Sequence, residues 1–255
     1  MIIRKSPQEI EAMARAGAVV AETLAIIGEH IRPGVTTAEL DRVAEELIRS
    51  RGGVPTFKGF RGYPASICTS PNAMVVHGIP GPYRLEEGDL ISIDVGVTHE
   101  GFVADSAFTF GVGEIDGEAQ RLLDVCQAAL AAGVEQAWPG NHVGDISGAV
   151  QRTTESAAFS VVRTLVGHGI GRSMHEEPQV PNFGDPGRGP KLAAGMTLAI
   201  EPMITAGSPT VFVEKDDWSV STTDGSLSAH FEHTVAVTDS GPRILTRATV
   251  GSLLP

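Results

Sequence analysis

The sequence predicts an α+β protein in which two related halves pack around one antiparallel sheet. Three observations support this prediction. In each half, two predicted helices precede the strands, and a Pro-Gly pair that ends at Gly34 or Gly140 separates the two helices. In each half, an apolar strand carries a carboxylate, at Asp94 or Glu201. A long unit that occurs twice indicates a pseudo-twofold axis rather than a solenoid, whose units are shorter and more numerous.

The first half begins with two helices whose starts are marked by capping boxes. Ser6 is followed by Pro7 and Glu9, and Thr36 is followed by Glu39. A capping residue with a glutamate three positions later satisfies free amides at a helix start. Apolar residues then recur at helical spacing in both segments. These residues are Ile10, Met13, Ala14, Gly17, Val20, Leu24 and Ile27 in the first helix and Leu40, Val43, Ala44 and Leu47 in the second.

The second half repeats this layout about a hundred residues later. A helix is predicted over 116–138, and a second one contains Asp145 and Ile146. The segment 85–94 is similar to 192–201 at an offset of 107 residues. His77-Gly-Ile is similar to His168-Gly-Ile at an offset of 91 residues. No change in composition separates the halves, so we predict a single catalytic domain over 1–255, with halves of roughly 1–110 and 111–255.

Composition and charge exclude several classes of protein. The formal net charge of −12 is opposite to the basic surface that broad nucleic-acid binding needs. The two cysteines, Cys68 and Cys126, form no disulfide framework. No apolar run approaches the ~18 residues of a membrane span, and no signal segment follows the N-terminal Arg4 and Lys5. We therefore expect a cytoplasmic protein with no membrane span and no direct DNA binding.

Four acids lie within or at the ends of predicted apolar strands. Asp94 lies in the strand 90–95, and Asp105 begins the strand 105–110. Glu201 ends the strand 196–201, and Glu232 begins the strand 232–237. Any one of these acids could face solvent at a strand end, because Asp and Glu are seldom buried unpaired. Equivalent placement of all four in two halves favours a shared site instead.

Converging carboxylates repel one another, and a bound cation removes that repulsion. Oxygen donors with few nitrogens favour manganese, iron, cobalt or magnesium over a zinc site built from thiolates. Four acids exceed what one ion needs, so we predict two divalent ions with shared carboxylates.

Three histidines have a sequence context that suits a site. His168 and His175 lie in a glycine-rich segment, 167–178, that is predicted to be a loop or a twisted strand. His77 lies in a similar His-Gly-Ile segment. Each could instead be an ordinary core or surface histidine. The remaining histidines have no comparable context and are assigned structural roles: His30, His99, His142, His230 and His233.

These residues together resemble the type I methionine aminopeptidases. The resemblance extends from the first helix to Leu245, and its most specific parts are the segments 168–178, 199–202 and 231–234. It implies the pita-bread fold and hydrolysis of the N-terminal methionine from nascent proteins and peptides whose second residue is small. The order of the family's five metal ligands is matched by Asp94, Asp105, His168, Glu201 and Glu232.

The resemblance also implies a role for each matching position. Asp105 and Glu232 would bridge two ions, Asp94 would chelate one, and His168 and Glu201 would complete the other. Glu201 would also move protons, His175 would stabilise the oxyanion, and His77 would contact the scissile peptide nitrogen. The methionine pocket would be lined by Phe60, Tyr63, Cys68, Met174 and Trp218. Cobalt, manganese and iron are the expected ions, nascent chains the expected partners, and a monomer the expected state, with transient ribosome contact left open.

Three positions depart from the family's usual pattern, and none of them is among the five expected metal ligands. Met174 replaces a common phenylalanine, and Phe57 and His230 replace a cysteine and a glutamine.

Two alternatives stay open, a proline-specific dipeptidase of the same fold and a non-catalytic peptide-binding module. Proline dipeptidases carry a further N-terminal domain, whereas 76 residues precede His77 here. A type II enzyme is disfavoured because 25 residues separate His175 from Glu201, too few for its helical insert.

Overall fold

The four α-helices of residues 1–247 form two consecutive pairs. The structure, a computed structural model, describes residues 1–247, so residues 248–255 of the predicted second half lie outside the described residues. The first pair is α1 (Pro7–His30) and α2 (Thr37–Ser50), and the second pair is α3 (Gly117–Val134) and α4 (Val143–Ser156). Both predicted capping boxes of the first pair are present. Asp116 caps α3 by accepting a hydrogen bond from Ala119 N at 2.7 Å.

The strands follow each helix pair, as predicted. The strands that precede α3 are β1 (Val54–Pro55), β2 (Cys68–Pro71), β3 (Met74–Val76), β4 (Leu90–His99) and β5 (Phe102–Gly111). Those that follow α4 are β6 (Ser160–Val161), β7 (Val166–Gly169), β8 (Glu176–Pro181), β9 (Thr197–Ile200), β10 (Met203–Thr205), β11 (Val211–Val213), β12 (Val220–Thr222), β13 (Ser228–His230), β14 (His233–Thr238) and β15 (Gly241–Ile244). A short 3₁₀ helix spans Phe60–Gly62.

In the first half, α1 and α2 cover a sheet built on the hairpin of β4 and β5. The two strands pair along their whole length, from Leu90 opposite Gly111 to His99 opposite Phe102. β1 and β2 both pair with β4, at different stretches of that strand. Leu24 and Ile27 of α1 are buried in one cluster with Ile91 and Ile93 of β4. Burial of this apolar face fixes the helices on the sheet.

In the second half, α3 and α4 cover a sheet with the strand order β15-β14-β9-β7-β8. Leu122 and Ile146 of the helices are fully buried in one cluster with Leu198 and Val235 of the sheet. The helix predicted over 116–138 ends at Val134. Four residues of its predicted apolar face are buried and one is half-buried; the buried ones are Leu122, Cys126, Ala129 and Val134, and the half-buried one is Val125. Two three-stranded sheets, β13-β10-β6 and β11-β12-β3, complete the strands of residues 1–247.

The two larger sheets meet between β5 and the start of β14. Glu232 N donates to Ala107 O at 2.9 Å, and Asp105 N donates to Thr234 Oγ1 at 2.9 Å. The strand pairs described in residues 1–247 are all antiparallel. The centre of the molecule is thus two antiparallel sheets joined by hydrogen bonds, one sheet from each half. No helix in residues 1–247 has the length and apolar character of a membrane span.

Several strand boundaries differ from the prediction. β4 continues to His99, β9 ends at Ile200, just before Glu201, and β14 begins at His233, just after Glu232. β5 begins at Phe102, so Asp105 lies inside the strand rather than at its head. The buried residues Phe102, Val103 and Ala104 extend the strand because they pair with the end of β4 through a tight hairpin. The segment 167–178 contains the ends of two strands, β7 and β8, with a loop between them.

Candidate metal centre

The four acids predicted from the sequence lie together where the two halves meet. Asp94 in β4 is paired with Ala107, and Asp105 in β5 is paired with Gly96, so the two aspartates lie diagonally across neighbouring strands. Ser92 and Thr109 share a hydrogen bond of 2.8 Å on this face, as alternation along the strands predicts. Hydrogen bonds between β5 and residues 232–234 bring Glu232 to the same place.

His168 and two of the acids form a cluster with the spacing of metal ligands. One ligand atom from each of Asp105, His168 and Glu232 lies within 4.8 Å of the others. His168 Nδ1 lies 2.9 Å from Gly169 O and must donate to it, because a carbonyl only accepts. The Nε2 lone pair of His168 is therefore free, and Nε2 lies 3.5 Å from Glu201 Oε1. A backbone partner of this kind fixes the tautomer of a ligating histidine.

Several oxygen atoms of these acids are buried without a partner. Asp94 Oδ1, Asp105 Oδ1 and Glu232 Oε1 make no hydrogen bond to any described residue. Asp105 and Glu232 are only 3% and 1% exposed. A buried carboxylate oxygen without a partner is costly, and a cation is the partner that suits it. The donor set therefore fits divalent metal ions.

The electrostatics of the acids leads to the same conclusion. Burial raises the pKa of Asp94 to about 7. Burial, together with the neighbouring acids, raises the pKa of Asp105, Glu201 and Glu232 well above the ordinary range. The basic side chains found within 4 Å of the Glu201 carboxylate in residues 1–247 are those of His168 and His230 rather than lysine or arginine. Cations at this place would remove the repulsion that raises these pKa values.

The acids and His168 line a cavity of about 310 Å³. The other side chains predicted at the site also line it, and these are Phe60, Tyr63, Cys68, His77, Met174, His175 and Trp218. Tyr63 turns its edge to Trp218, with ring centroids 5.0 Å apart, and its hydroxyl donates to Gly78 O at 2.8 Å. Burial raises the pKa of the Cys68 thiol, which suits a wall of the cavity rather than a nucleophile.

Three histidines of the cavity, His77, His168 and His175, are neutral. Burial lowers the pKa of His168 to about 4 and also lowers the pKa of His77. His175 is more exposed, and its pKa is lowered by partial desolvation of the ring and by the nearby Arg61 guanidinium. The ring of His175 lies 4.3 Å from that of His168 and 5.5 Å from that of Phe60. His77 follows β3 with a φ of 61°, a left-handed conformation that histidine adopts more readily than most residues.

His230 was assigned a structural role and noted as a departure from the family's pattern, and its side chain lines the same cavity. It is 2% exposed, and its Nε2 lies 3.7 Å from Glu201 Oε2 with no hydrogen-bond partner among the described residues. Burial lowers its pKa to about 3, so the ring is neutral. Its position two residues before Glu232 in an extended segment was a signal for the same face.

The cavity residues without any predicted role are Arg61, Val76, Thr164, Leu165, Val166 and Met203, while Phe57 was noted only as a departure.

A second cavity, of about 540 Å³, lies between α3 and the strands β5 and β14. Its lining includes Glu232 but none of the other four predicted ligands, and much of it is apolar side chains such as Phe108 and Leu130. The chemistry therefore belongs to the smaller cavity.

Comparison with known proteins agrees with this geometry. Residues 11–239 match the sequence pattern of Metallopeptidase family M24. The chain belongs to metallopeptidase family M24. It is 54% identical to a methionine aminopeptidase of Clostridium perfringens over 246 residues, which are 96% of this chain and 99% of that protein. It is 49% identical to methionine aminopeptidase 1 of Bacillus subtilis over 247 residues, which are 97% and 100% of the two chains.

Solved structures of M24 enzymes confirm the predicted pita-bread fold. The methionine aminopeptidase of Thermotoga maritima superposes with a TM-score of 0.96 at 44% identity, over 97% of this chain and all of that chain. Prolidase from Pyrococcus furiosus has a TM-score of 0.77 at 22% identity, over 97% of this chain and 66% of that chain, which shows the fold alone. Within family M24, the chain groups with the methionine aminopeptidases, as the sequence predicted.

Proposed function

We propose that this chain removes the N-terminal methionine from nascent proteins and peptides whose second residue is small, at a centre of two divalent ions. One observation carries the proposal: four buried or half-buried acids and His168 converge at a cavity whose other walls are mainly apolar and aromatic. The relatives at 49–54% identity that are named methionine aminopeptidases support it.

Five side chains would hold the ions. Asp105 and Glu232 would be shared by both ions, Asp94 would bind one, and His168 and Glu201 would bind the other. The close group of Asp105, His168 and Glu232 supports this assignment. The diagonal placement of Asp94 and Asp105 on neighbouring strands also supports it, since both side chains could then reach the same ion. Oxygen donors with one nitrogen are compatible with cobalt, manganese or iron.

The protein side chains supply positioning and proton transfer. When bound, the ions would make a nucleophile available near neutral pH and polarise the scissile carbonyl. Glu201 would accept a proton on its carboxylate and pass it to the leaving amine. Neutral His175 would donate its N–H to the developing oxyanion, and neutral His77 would contact the scissile nitrogen. The preference for a small second residue is carried over from the resemblance to the type I methionine aminopeptidases.

The methionine side chain would occupy the apolar wall formed by Phe60, Tyr63, Cys68, Met174 and Trp218. Met174 is 7% exposed, and its flexible thioether would adapt to the substrate side chain. We propose further that the protein acts as a cytoplasmic monomer on nascent N-termini, with transient contact to the ribosome. The two buried free cysteines support a reducing compartment.

The test is metal analysis of protein purified without added metal, followed by reconstitution with manganese, cobalt or iron. Release of methionine from Met-Gly-Met should require metal and should reach a maximum at two ions per chain. An Xaa-Pro dipeptide should be a poor substrate. Preferred cleavage of the Xaa-Pro dipeptide would favour the dipeptidase alternative. Binding of Met-Gly-Met without hydrolysis by the reconstituted protein would favour the non-catalytic alternative.

A further inference from the structure

A buried ion pair lies beside the metal centre but outside its set of ligands. Lys5 Nζ is 2.5 Å from Glu176 Oε2, and the two side chains are 3% and 7% exposed. The other ion pairs that lysine or arginine forms in the described chain are more open, such as Arg15 with Glu100 at 54% and 52%. Burial of two charges is costly unless their geometry and hydrogen bonds compensate, so this pair calls for a specific explanation.

Glu176 also holds the loop that ends at His175. Its second oxygen, Oε1, accepts from Arg172 N at 2.8 Å and from Ser173 N at 3.2 Å. The loop is closed further by Gly171 N, which donates to Ser173 O at 3.1 Å. One carboxylate therefore ties two loop amides to the ammonium group of Lys5, which lies far away in the sequence.

Lys5 is itself fixed to the second half of the molecule. Its backbone N–H donates to Gly195 O at 2.6 Å, and Arg4 Nε donates to Ala194 O at 2.6 Å. The stem of Lys5 lies directly against Gly171, where an added Cβ would come within 2.2 Å of Lys5 Cε. The loop therefore rests on an anchored side chain rather than on solvent.

The position of the His175 ring depends on the loop that carries it. The ring packs between His168 and Phe60 and makes no hydrogen bond to any other described residue. Glu176, the next residue, is the first of β8 and lies opposite Gly169. Any shift of the loop would therefore move His175 relative to His168 and the metal centre.

We propose that Lys5 and Glu176 are positioning residues for His175. Their ion pair clamps the loop 171–175 so that the imidazole of His175 points at the reacting carbonyl. The part of the inference that concerns turnover rests on the proposed function. The clamp itself concerns only the structure of the loop.

The test compares two neighbouring glutamates. Glu176→Gln keeps the size and one acceptor oxygen of the side chain but removes the charge that pairs with Lys5. Glu177→Gln is the matched control, because Glu177 is exposed and adjacent. We expect Glu176→Gln to keep its metal content and to lose about 10- to 100-fold in kcat, since a displacement of about 1 Å at a reacting group has effects of this size. KM should change little, because His175 acts in the transition state. The control should stay within about twofold of the parent.

A double-mutant cycle separates positioning from general support of the fold. If Glu176 acts through His175, then Glu176→Gln should have almost no further effect on kcat in a His175→Ala background. An equal loss in both backgrounds would overturn the proposal, as would an unchanged kcat for Glu176→Gln. Lys5→Met provides a second variant that breaks the pair from the other side, with the same expectations.

Hydrogen exchange does not require enzymatic activity, so it tests the clamp formed by Lys5 and Glu176 separately from the proposed function. Hydrogen exchange in the segment 170–176 should be faster in Glu176→Gln than in Glu177→Gln, because the amides of Arg172 and Ser173 donate to the Glu176 carboxylate. Equal exchange in the two variants would overturn the clamp. A parent protein that releases no methionine would contradict the proposed function, and hydrogen exchange would still decide on the clamp.

Discussion

Substitution of His77 separates a substrate contact from a metal ligand. His77 lines the cavity together with His168, and both lie in a His-Gly-Ile segment. His168 belongs to the close group of donor atoms with Asp105 and Glu232, whereas His77 is not a member of that group. We therefore expect His77→Ala to keep both metal ions, and His168→Ala to lose metal as well as activity.

The expected loss of turnover in His77→Ala follows from the surroundings of His77. Burial lowers its pKa, so the ring is neutral and can donate or accept one hydrogen bond at the scissile peptide. Positioning or proton transfer by such a group contributes roughly 10²–10⁴ in rate, or about 3–5 kcal/mol of barrier. His168→Ala would remove a proposed direct ligand, so the metal affinity of this variant should fall by more than the roughly 10- to 100-fold that loss of an outer-shell partner causes.

The backbone at His77 requires a control. Its φ of 61° is unfavourable for alanine, whereas asparagine tolerates it better. His77→Asn should therefore have nearly the Tm of the parent and should still lose most of the turnover. Metal titration and kinetics on His77→Ala, His77→Asn and His168→Ala provide the comparison. If His77→Asn binds metal as poorly as His168→Ala, then His77 is a ligand and the assignment is wrong.

Three further predictions concern the metal, the specificity and the sheet. Asp105→Asn should abolish turnover and lower metal content, because one charge is lost from a carboxylate that we propose is shared by two ions. Full metal occupancy with normal turnover would refute the dinuclear assignment. The preference for methionine over leucine should be modest, of order 1–3 kcal/mol, because the pocket is apolar. Met-Lys and Met-Phe peptides should be cleaved poorly, and efficient cleavage would contradict the proposed specificity. Gly167→Ala should lower the free energy of unfolding by about 1–3 kcal/mol, because its Cβ would lie 2.4 Å from Ala199 O. Thermal denaturation checks this, with Gly117→Ala as the control at an open position.

The local elements of the fold could be predicted because their causes are local. Ser6, Thr36 and Asp116 cap their helices through hydrogen bonds to residues three positions later. Apolar residues at helical spacing form one apolar face on α1 and one on α3, and these faces are buried in the core. The repetition of the helix pair and of the carboxylate at a strand end is also visible in the residues themselves. These features predicted an α+β fold with two related halves.

The sequence also predicted the chemistry of the candidate metal centre. Acids within apolar strands, with no matching lysine or arginine nearby in the chain, predict repulsion that a cation relieves. The predicted acids, His168 and the predicted pocket residues all line one cavity. His230 was given no role at the site, although its position two residues before Glu232 indicated the same face. Its relation to Glu201 exists only after β13 and β10 have paired.

Tertiary structure decided the relations between residues that are distant in the chain. The meeting of Asp105 with Glu232 depends on hydrogen bonds from Asp105 and Ala107 to residues 232–234, across more than a hundred positions. The ion pair of Lys5 with Glu176 likewise joins the N-terminal segment to a loop of the second half. Spacing along the chain specifies which side chains share a face, because backbone geometry repeats every two or 3.6 residues. Which faces meet depends on the packing of the whole core, and no local pattern contains that information.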